Sequence, residues 1–200
     1  MTQHVNPTSS GHVAEQDSSQ GLDQTVGQEP GQEPGQVVIR TATGNDLDAV
    51  LEVGHRTWPP TYEPLAGADY VAMGLAKWWT PDAVIPSIRT GRTLVAELDG
   101  TVIGTATHGV QGEDLVLWKL YVIPGYQGHG VGGLLLRAVC EHASEVGYRR
   151  LILSHLEGND QADAFYAKHG FVETHRESGG SGLPTSVWAA LDLPEPEEEQ

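Results

Sequence analysis

Residues 118–146 constrain this chain more than any other stretch. An apolar run, Trp118-Lys119-Leu120-Tyr121-Val122-Ile123, passes through Pro124-Gly125-Tyr126 into Gln127-Gly128-His129-Gly130-Val131-Gly132-Gly133 and then into a helical pattern. A strand that feeds a helix through such a turn leaves the N–H groups of the helix's first turn without intrahelical acceptors. Together with the positive end of the helix dipole they make an anion site. Glycines 128, 130, 132 and 133 remove the Cβ atoms that would hold a ligand's oxygens away from that backbone. The stretch therefore points to a phosphate-bearing ligand.

The flanking sequence builds alternating layers around this unit. Residues 37–40 form a short strand, and Thr43 or Asn45 caps a helix carrying Leu47, Val50, Leu51 and Val53. That helix is predicted to stop near Thr57-Trp58, ahead of Pro59 and Pro60. A second helical region within residues 68–90 is predicted to be interrupted at Pro81 and Pro86. Two β-favouring runs, residues 93–98 and 101–108, flank Asp99-Gly100, the strongest hairpin signal in the chain. A strand over residues 113–123 completes an antiparallel meander.

Beyond the glycine turn, Val131, Leu134, Leu135, Ala138, Val139, His142 and Val146 fall at helical spacing, with Gly147 as the stop. Residues 150–155 then form a strand parallel to the Trp118 strand, because a helix crosses over between them. Asn159 or Asp160 caps a short helix through Phe165-Tyr166, and residues 171–174 and 186–191 close the chain as strands. The expected fold class is α/β (α+β): a mixed, mostly antiparallel sheet of about seven strands with helices on both faces.

Composition sets the limits of that domain. Residues 1–36 are rich in Gln, Gly, Ser, Glu and Pro, hold no aromatic residue, and repeat Gly27-Gln28-Glu29-Pro30 as Gly31-Gln32-Glu33-Pro34. They read as a disordered leader, residues 37–193 as the folded domain, and residues 194–200 as an acidic disordered tail. Leader and tail hold nine of the 27 acidic residues, so the net charge of −16 falls to −7 for the body. A body that acidic excludes nonspecific nucleic-acid binding and favours cationic partners. No apolar run is long enough to span a membrane, and the amino terminus lacks a basic region followed by an apolar one. With a single cysteine, Cys140, the expectation is a cytoplasmic protein without a disulfide.

Four readings of the glycine turn compete. A nucleoside-triphosphate loop needs a Lys after its last glycine, and none follows Gly133. A dinucleotide fingerprint is literally present at Gly128, Gly130 and Gly133, with Glu157 as the ribose ligand. Its first glycine stands too far from the strand, however, and the meander upstream is out of place. A connection with no ligand leaves five glycines between 125 and 133 costing order without return.

The fourth reading is a resemblance. Leu120-Tyr121-Val122-Ile123-Pro124 followed by Gln127-Gly128-His129-Gly130-Val131-Gly132 resembles the acetyl-coenzyme A motif of the GCN5-related N-acetyltransferases (GNAT). Asn159, then Ala164-Phe165-Tyr166, then Gly170-Phe171 resembles that family's later elements at their usual separations. The resemblance implies that acetyl-CoA is the acetyl donor. It places the pyrophosphate on the backbone of Gln127, Gly128, His129, Gly130, Val131 and Gly132, extended by Gly133, with His129 giving its N–H rather than a charge. The pantetheine arm pairs with the strand edge at Leu120 and Val122, flanking Tyr121, and is held by Asn159. One of those strand N–H groups polarises the thioester carbonyl. Tyr166 is the implied general acid at the departing sulfur.

The rest of the site is less determined by sequence. Some relatives place a carboxylate or His in the middle of the central strand, where this chain has Val116 and Trp118. Glu113 and His108 are the candidate bases. Trp58, Tyr62, Trp78 and Trp79, with Tyr70, are candidates for an acceptor pocket, which Glu63 or Asp69 would complement and residues 176–185 would border. The function read here is direct transfer of acetyl from acetyl-CoA to a primary amine of a small molecule or peptide, with a cationic amine favoured. The alternative is a coenzyme A binding or sensing domain that does little chemistry. No His/Cys/Asp/Glu group has metal-ligand spacing, so no metal is expected, and the protein is read as a monomer or homodimer.

Overall fold

The computed structural model describes residues 35–180 and 182–194. Apart from residues 35, 36 and 194, the predicted leader and tail lie outside the described residues. Seven strands form one sheet in the order β1-β2-β3-β4-β5-β7-β6. They are β1 (Val38–Thr41), β2 (Thr93–Leu98), β3 (Thr101–Gln111), β4 (Asp114–Val122), β5 (Arg150–Leu156), β6 (Val172–Glu177) and β7 (Ser186–Asp192). Every neighbouring pair is antiparallel except β4 and β5. The helices are α1 (Leu47–Trp78), α2 (Pro81–Arg89), α3 (Val131–Glu145) and α4 (Asp160–Lys168). The expected mixed, mostly antiparallel seven-stranded sheet is the fold observed.

Two apolar layers hold the sheet. On one face Val131, Leu135, Leu136 and Val139 of α3 pack on Ala96, Ala106, Leu117 and Leu153. On the other, Val50, Trp58 and Trp79 pack with Val84 and Ile88 of α2 against Val95 of β2. The Asp99-Gly100 turn has φ of 50° and 76°, the double left-handed conformation of a type I′ hairpin, as its sequence demands.

Two of the proline expectations are corrected. Helix α1 does not stop at Thr57-Trp58 but runs through Pro59, Pro60 and Pro64, and α2 runs through Pro86; the interruption expected at Pro81 is present, since α1 ends at Trp78 and Pro81 opens α2. Prolines 59 and 60 free the carbonyls of His55 and Arg56, whose exposed positions let water take the lost bonds. The real interruption is Gly67, at φ 81° and ψ 167°. The chain reverses there, since the Trp58 and Trp78 rings lie 5.5 Å apart, whereas a straight helix would separate them by about 30 Å. The two halves interlock through glycine: a Cβ at Gly74 would fall 1.9 Å from the Trp58 ring, and one at Gly54 would fall 2.0 Å from Trp79.

The entry to α1 is fixed by charge. A 3-10 turn over Gly44–Asp46 precedes the helix, and the Asp46 carboxylate accepts from Thr43 N–H at 2.7 Å and from Thr43 Oγ1 at 2.9 Å. Arg40 of β1 donates to both Asp46 oxygens, at 2.8 and 2.7 Å, and to Glu97 of β2 at 2.7 Å. Chiefly through the Arg40 bonds, the Asp46 carboxyl is held well below its ordinary value of 3.8. A carboxyl depressed on folding stabilises the protein above its unfolded pKa and loses that contribution as pH falls. Asp46→Asn is therefore expected to cost about 1–2 kcal/mol in urea unfolding at pH 7, because it removes the charged acceptor of the Arg40 and Thr43 bonds while Arg40, 35% exposed, keeps Glu97. The difference from the wild type should shrink as pH drops below 3.8.

Candidate active site

β4 and β5 are the parallel pair, and their carboxyl ends point toward the glycine turn, the place where ligands bind in such sheets. Their pairing covers only Leu115–Leu117 against Leu151–Leu153. Beyond Leu117 the strands part. Ile123 N–H donates to Ile103 O at 2.9 Å. Residues 119 and 121 are therefore turned toward β3, and the backbone N–H and C=O of Leu120 and Val122 face the gap. The Gln127 side chain closes part of it, its Nε2 donating to Val122 O at 2.8 Å. That bond leaves the Val122 N–H as the group offered at this point.

The turn has the backbone its glycines permit. Gly128 and Gly130 adopt φ of 78° and 84°, and Gly130 caps α3 in the left-handed region, where a side chain would be strained. Leu134 N–H is bonded to Gly130 O, so the N–H groups of Val131, Gly132 and Gly133 precede the first intrahelical bond. Gly132 and Gly133 also serve packing, because a Cβ there would meet Phe165 at 3.4 Å and His169 at 3.3 Å.

A cleft of about 420 Å³ runs along this gap. Of the residues expected to hold the cofactor, Leu120, Tyr121, Val122, Gln127, Gly128, Gly130, Gly132, Gly133, Asn159 and Tyr166 line it. His129 and Val131 do not. The exposed His129 turns back to bond Gln127 O through Nδ1 at 2.9 Å, and Val131 is buried in the core under α3. Asn159 caps α4, its Oδ1 accepting from Ala162 N–H at 3.2 Å, and borders the cleft as well.

A second cavity of about 560 Å³ lies on the α1/α2 face of the sheet, walled by Trp58, Tyr62, Tyr70, Trp78 and Trp79. All four expected acceptor residues are therefore brought together. Glu63 and Asp69 are not in its wall, and of the late segment only Ser186 is, rather than residues 176–185. The two cavities share Tyr62, Trp118, Tyr121, Ser154 and His155. This junction is built by a β-bulge. The β3–β4 register moves from Thr107↔Lys119 to His108↔Leu117, leaving Trp118 without a partner. The bulge turns Trp118 and Lys119 to the same face, so Trp118, 52% exposed, stands at the meeting point of the cavities.

Tyr166 lines the first cleft beside this junction, among Phe165, Phe171 and His155, and burial pushes its phenol well above the ordinary value. The hydroxyl remains protonated and makes no hydrogen bond to the described residues. Tyr62 and Tyr121 share a hydroxyl–hydroxyl bond of 2.9 Å, and burial raises both their pKa values.

The candidate bases fare differently. Glu113 is exposed in the β3–β4 turn and lines neither cavity. His108 borders the aromatic cavity, but its ring packs 4.6 Å from His142 of α3. Burial, then the charges of His142 and Arg92, lower it to about 4. The sequence reading missed His155, the penultimate residue of β5. Its Nδ1 lies 3.2 Å from Leu156 O, which can only accept, so the proton sits on Nδ1 and Nε2 is left as an acceptor. Nε2 is 3.8 Å from Asp163 Oδ1, near enough to stabilise an imidazolium once one forms. The signal was available in sequence, since His155 ends a strand parallel to the one entering the glycine turn.

Among the described residues no helix is long and apolar enough to cross a membrane, and no group of three or more His, Cys, Asp and Glu could hold a metal ion.

A parted parallel pair closed by a glycine turn is reached at the same point by a second cavity from the opposite face, a layout with room for two molecules to meet. The model of the acetyltransferase (GNAT) family matches residues 50–171, and the chain belongs to that family. An uncharacterized N-acetyltransferase of Mycobacterium tuberculosis is 32% identical over 136 residues, covering 63% of this chain and 83% of the relative. The PaiA N-acetyltransferase of Thermoplasma acidophilum, solved in complex with coenzyme A, superposes with a TM-score of 0.71 at 21% identity, over 79% of this chain and 99% of that one. The ribosomal-protein-S18-alanine N-acetyltransferase of Escherichia coli gives 0.63 at 20% identity, over 82% and 99%.

Proposed function

We propose that the protein transfers an acetyl group from acetyl-CoA directly to a primary amine. The observation that carries this reading is the meeting of the two cavities at Trp118 and His155, with Tyr166 of the first cleft stacked on the His155 ring. The residues of the first cleft fit a coenzyme A ester. The unbonded N–H groups of the α3 first turn suit a pyrophosphate, and the N–H of Val122 and backbone of Leu120 suit an extended amide-bearing arm. Bound there, acetyl-CoA supplies the activated acetyl thioester.

The chain's own groups then manage protons and position. The acceptor amine enters from the aromatic cavity and loses its proton to Nε2 of His155, with Asp163 offsetting the charge formed. A strand N–H in the gap stabilises the oxygen that gains charge. Tyr166 gives its phenolic proton to the departing sulfur. Cys140 plays no part: it is packed against the α3 core, lines neither cavity, and burial pushes its thiol up. That placement supports transfer without an acetylated enzyme.

Release of free coenzyme A thiol from acetyl-CoA tests the reading. Amine-dependent release, matched by acetylated amine, is the expected outcome. Coenzyme A binding without release on any amine would support a sensing domain instead.

A further inference from the structure

The acceptor cavity carries the opposite charge to the body around it. No Asp or Glu lines its wall, whereas Lys119 and Arg92 do. Lys119 is turned into it by the Trp118 bulge. Its Nζ donates to Trp78 O, the last carbonyl of α1, at 2.8 Å and lies 4.6 Å from the centre of the Trp79 ring. Among the described residues it makes no ion pair with a carboxylate. An ammonium has three N–H donors, and here one is spent on a neutral carbonyl. Burial alone lowers its pKa, to about 8, with no acid acting to raise it. A desolvated cation in a cavity, short of a counter-charge, is the environment an oxyanion completes.

We propose that the acceptor bears an oxyanion, a carboxylate in the simplest case, beside its reacting amine, and that Lys119 holds it, with Arg92 adding charge at the same cavity. This deepens the amine-acetylation reading and rests on it. It also replaces the expectation of a cationic acceptor, which followed from the charge of the whole body. A polyamine would bring positive charge against Lys119 and Arg92, with no carboxylate in the wall to receive it. The aromatic residues that share the wall with Lys119 suit an apolar side chain on the same molecule.

The test measures binding of the product class, so it does not depend on turnover. Matched pairs of N-acetyl amino acids and their carboxamides, spanning aliphatic and aromatic side chains, are titrated by tryptophan fluorescence in the presence of coenzyme A. The acids that bind are expected to do so about tenfold or more tightly than their amides, the worth of one charge-assisted bond. Lys119→Met should level acid and amide, and Lys119→Arg should restore part of the difference, which separates lost charge from lost packing. Equal or tighter binding of the amides, a preference unchanged in Lys119→Met, or no binding by any acid in the set overturns the assignment. Coenzyme A affinity is titrated alone in parallel. Its absence counts against the proposed function, whereas its presence without acid preference counts only against the oxyanion.

Discussion

Replacing His155 with Ala is expected to lower kcat/KM for amine acetylation by roughly 10²- to 10³-fold, within the range that a positioned base contributes. The effect should fall on turnover, with coenzyme A affinity near that of the wild type. His155 touches both cavities, but the N–H groups suited to a pyrophosphate belong to the α3 turn. The imidazole is held by its Nδ1 bond to Leu156 O, so truncation opens a ring-sized space at the junction. Added imidazole should fill it and recover activity in proportion to concentration, whereas a purely structural loss would not respond. His155→Gln supplies a control that keeps much of the volume without the base. Asp163→Asn removes the partner 3.8 Å from Nε2 and should give a smaller loss, because a 72% exposed carboxylate is screened by water.

Tyr166→Phe is the second large effect, with kcat expected to fall by about 10²-fold, equivalent to about 2.7 kcal/mol of barrier. The substitution deletes a hydroxyl that has no hydrogen-bond partner among the described residues and keeps the ring between Phe165 and Phe171. Removing such a group strands nothing, so the melting temperature should be unchanged. The loss should also shrink with a thioester whose thiol is more acidic than that of coenzyme A, because a better leaving group needs less help from a proton donor. Equal losses across leaving groups would leave the phenol a packing role only.

Much of this architecture is legible in the sequence because local chemistry and tertiary need agree. Asp99-Gly100 can hardly serve anything but a hairpin turn. The strand, glycine turn and helix from Trp118 onward dictate a crossover, and hence the parallel neighbour in which His155 lies. The prolines misled for the opposite reason. Pro59 and Pro60 oppose a helix locally, but the packing of Trp58 on Gly74 and of Trp79 on Gly54 outweighs the bonds lost. Gly67, where the chain does reverse, looks in sequence like any loop glycine.

The site divides along the same line. The cleft beside the glycine turn was readable because it is made of backbone, and glycine spacing announces backbone. The aromatic cavity depends on which way side chains point. One unpartnered residue at Trp118 moves Lys119 into the cavity, and no pattern of residue types marks that bulge. Composition reports the charge of the whole body, whereas the cavity wall holds Lys119 and Arg92 and no Asp or Glu.

The central claim is direct transfer at the point where the two cavities meet. It is tested most directly by single-turnover mixing of the protein in excess with acetyl-CoA labelled in the acetyl group, with and without an accepted amine. The account predicts that label passes to the amine in one phase, never appears on the protein, and slows together with thiol release in His155→Ala and Tyr166→Phe. Label recovered on the protein before the amine, or a thioester left intact in the presence of every amine tried, would contradict it.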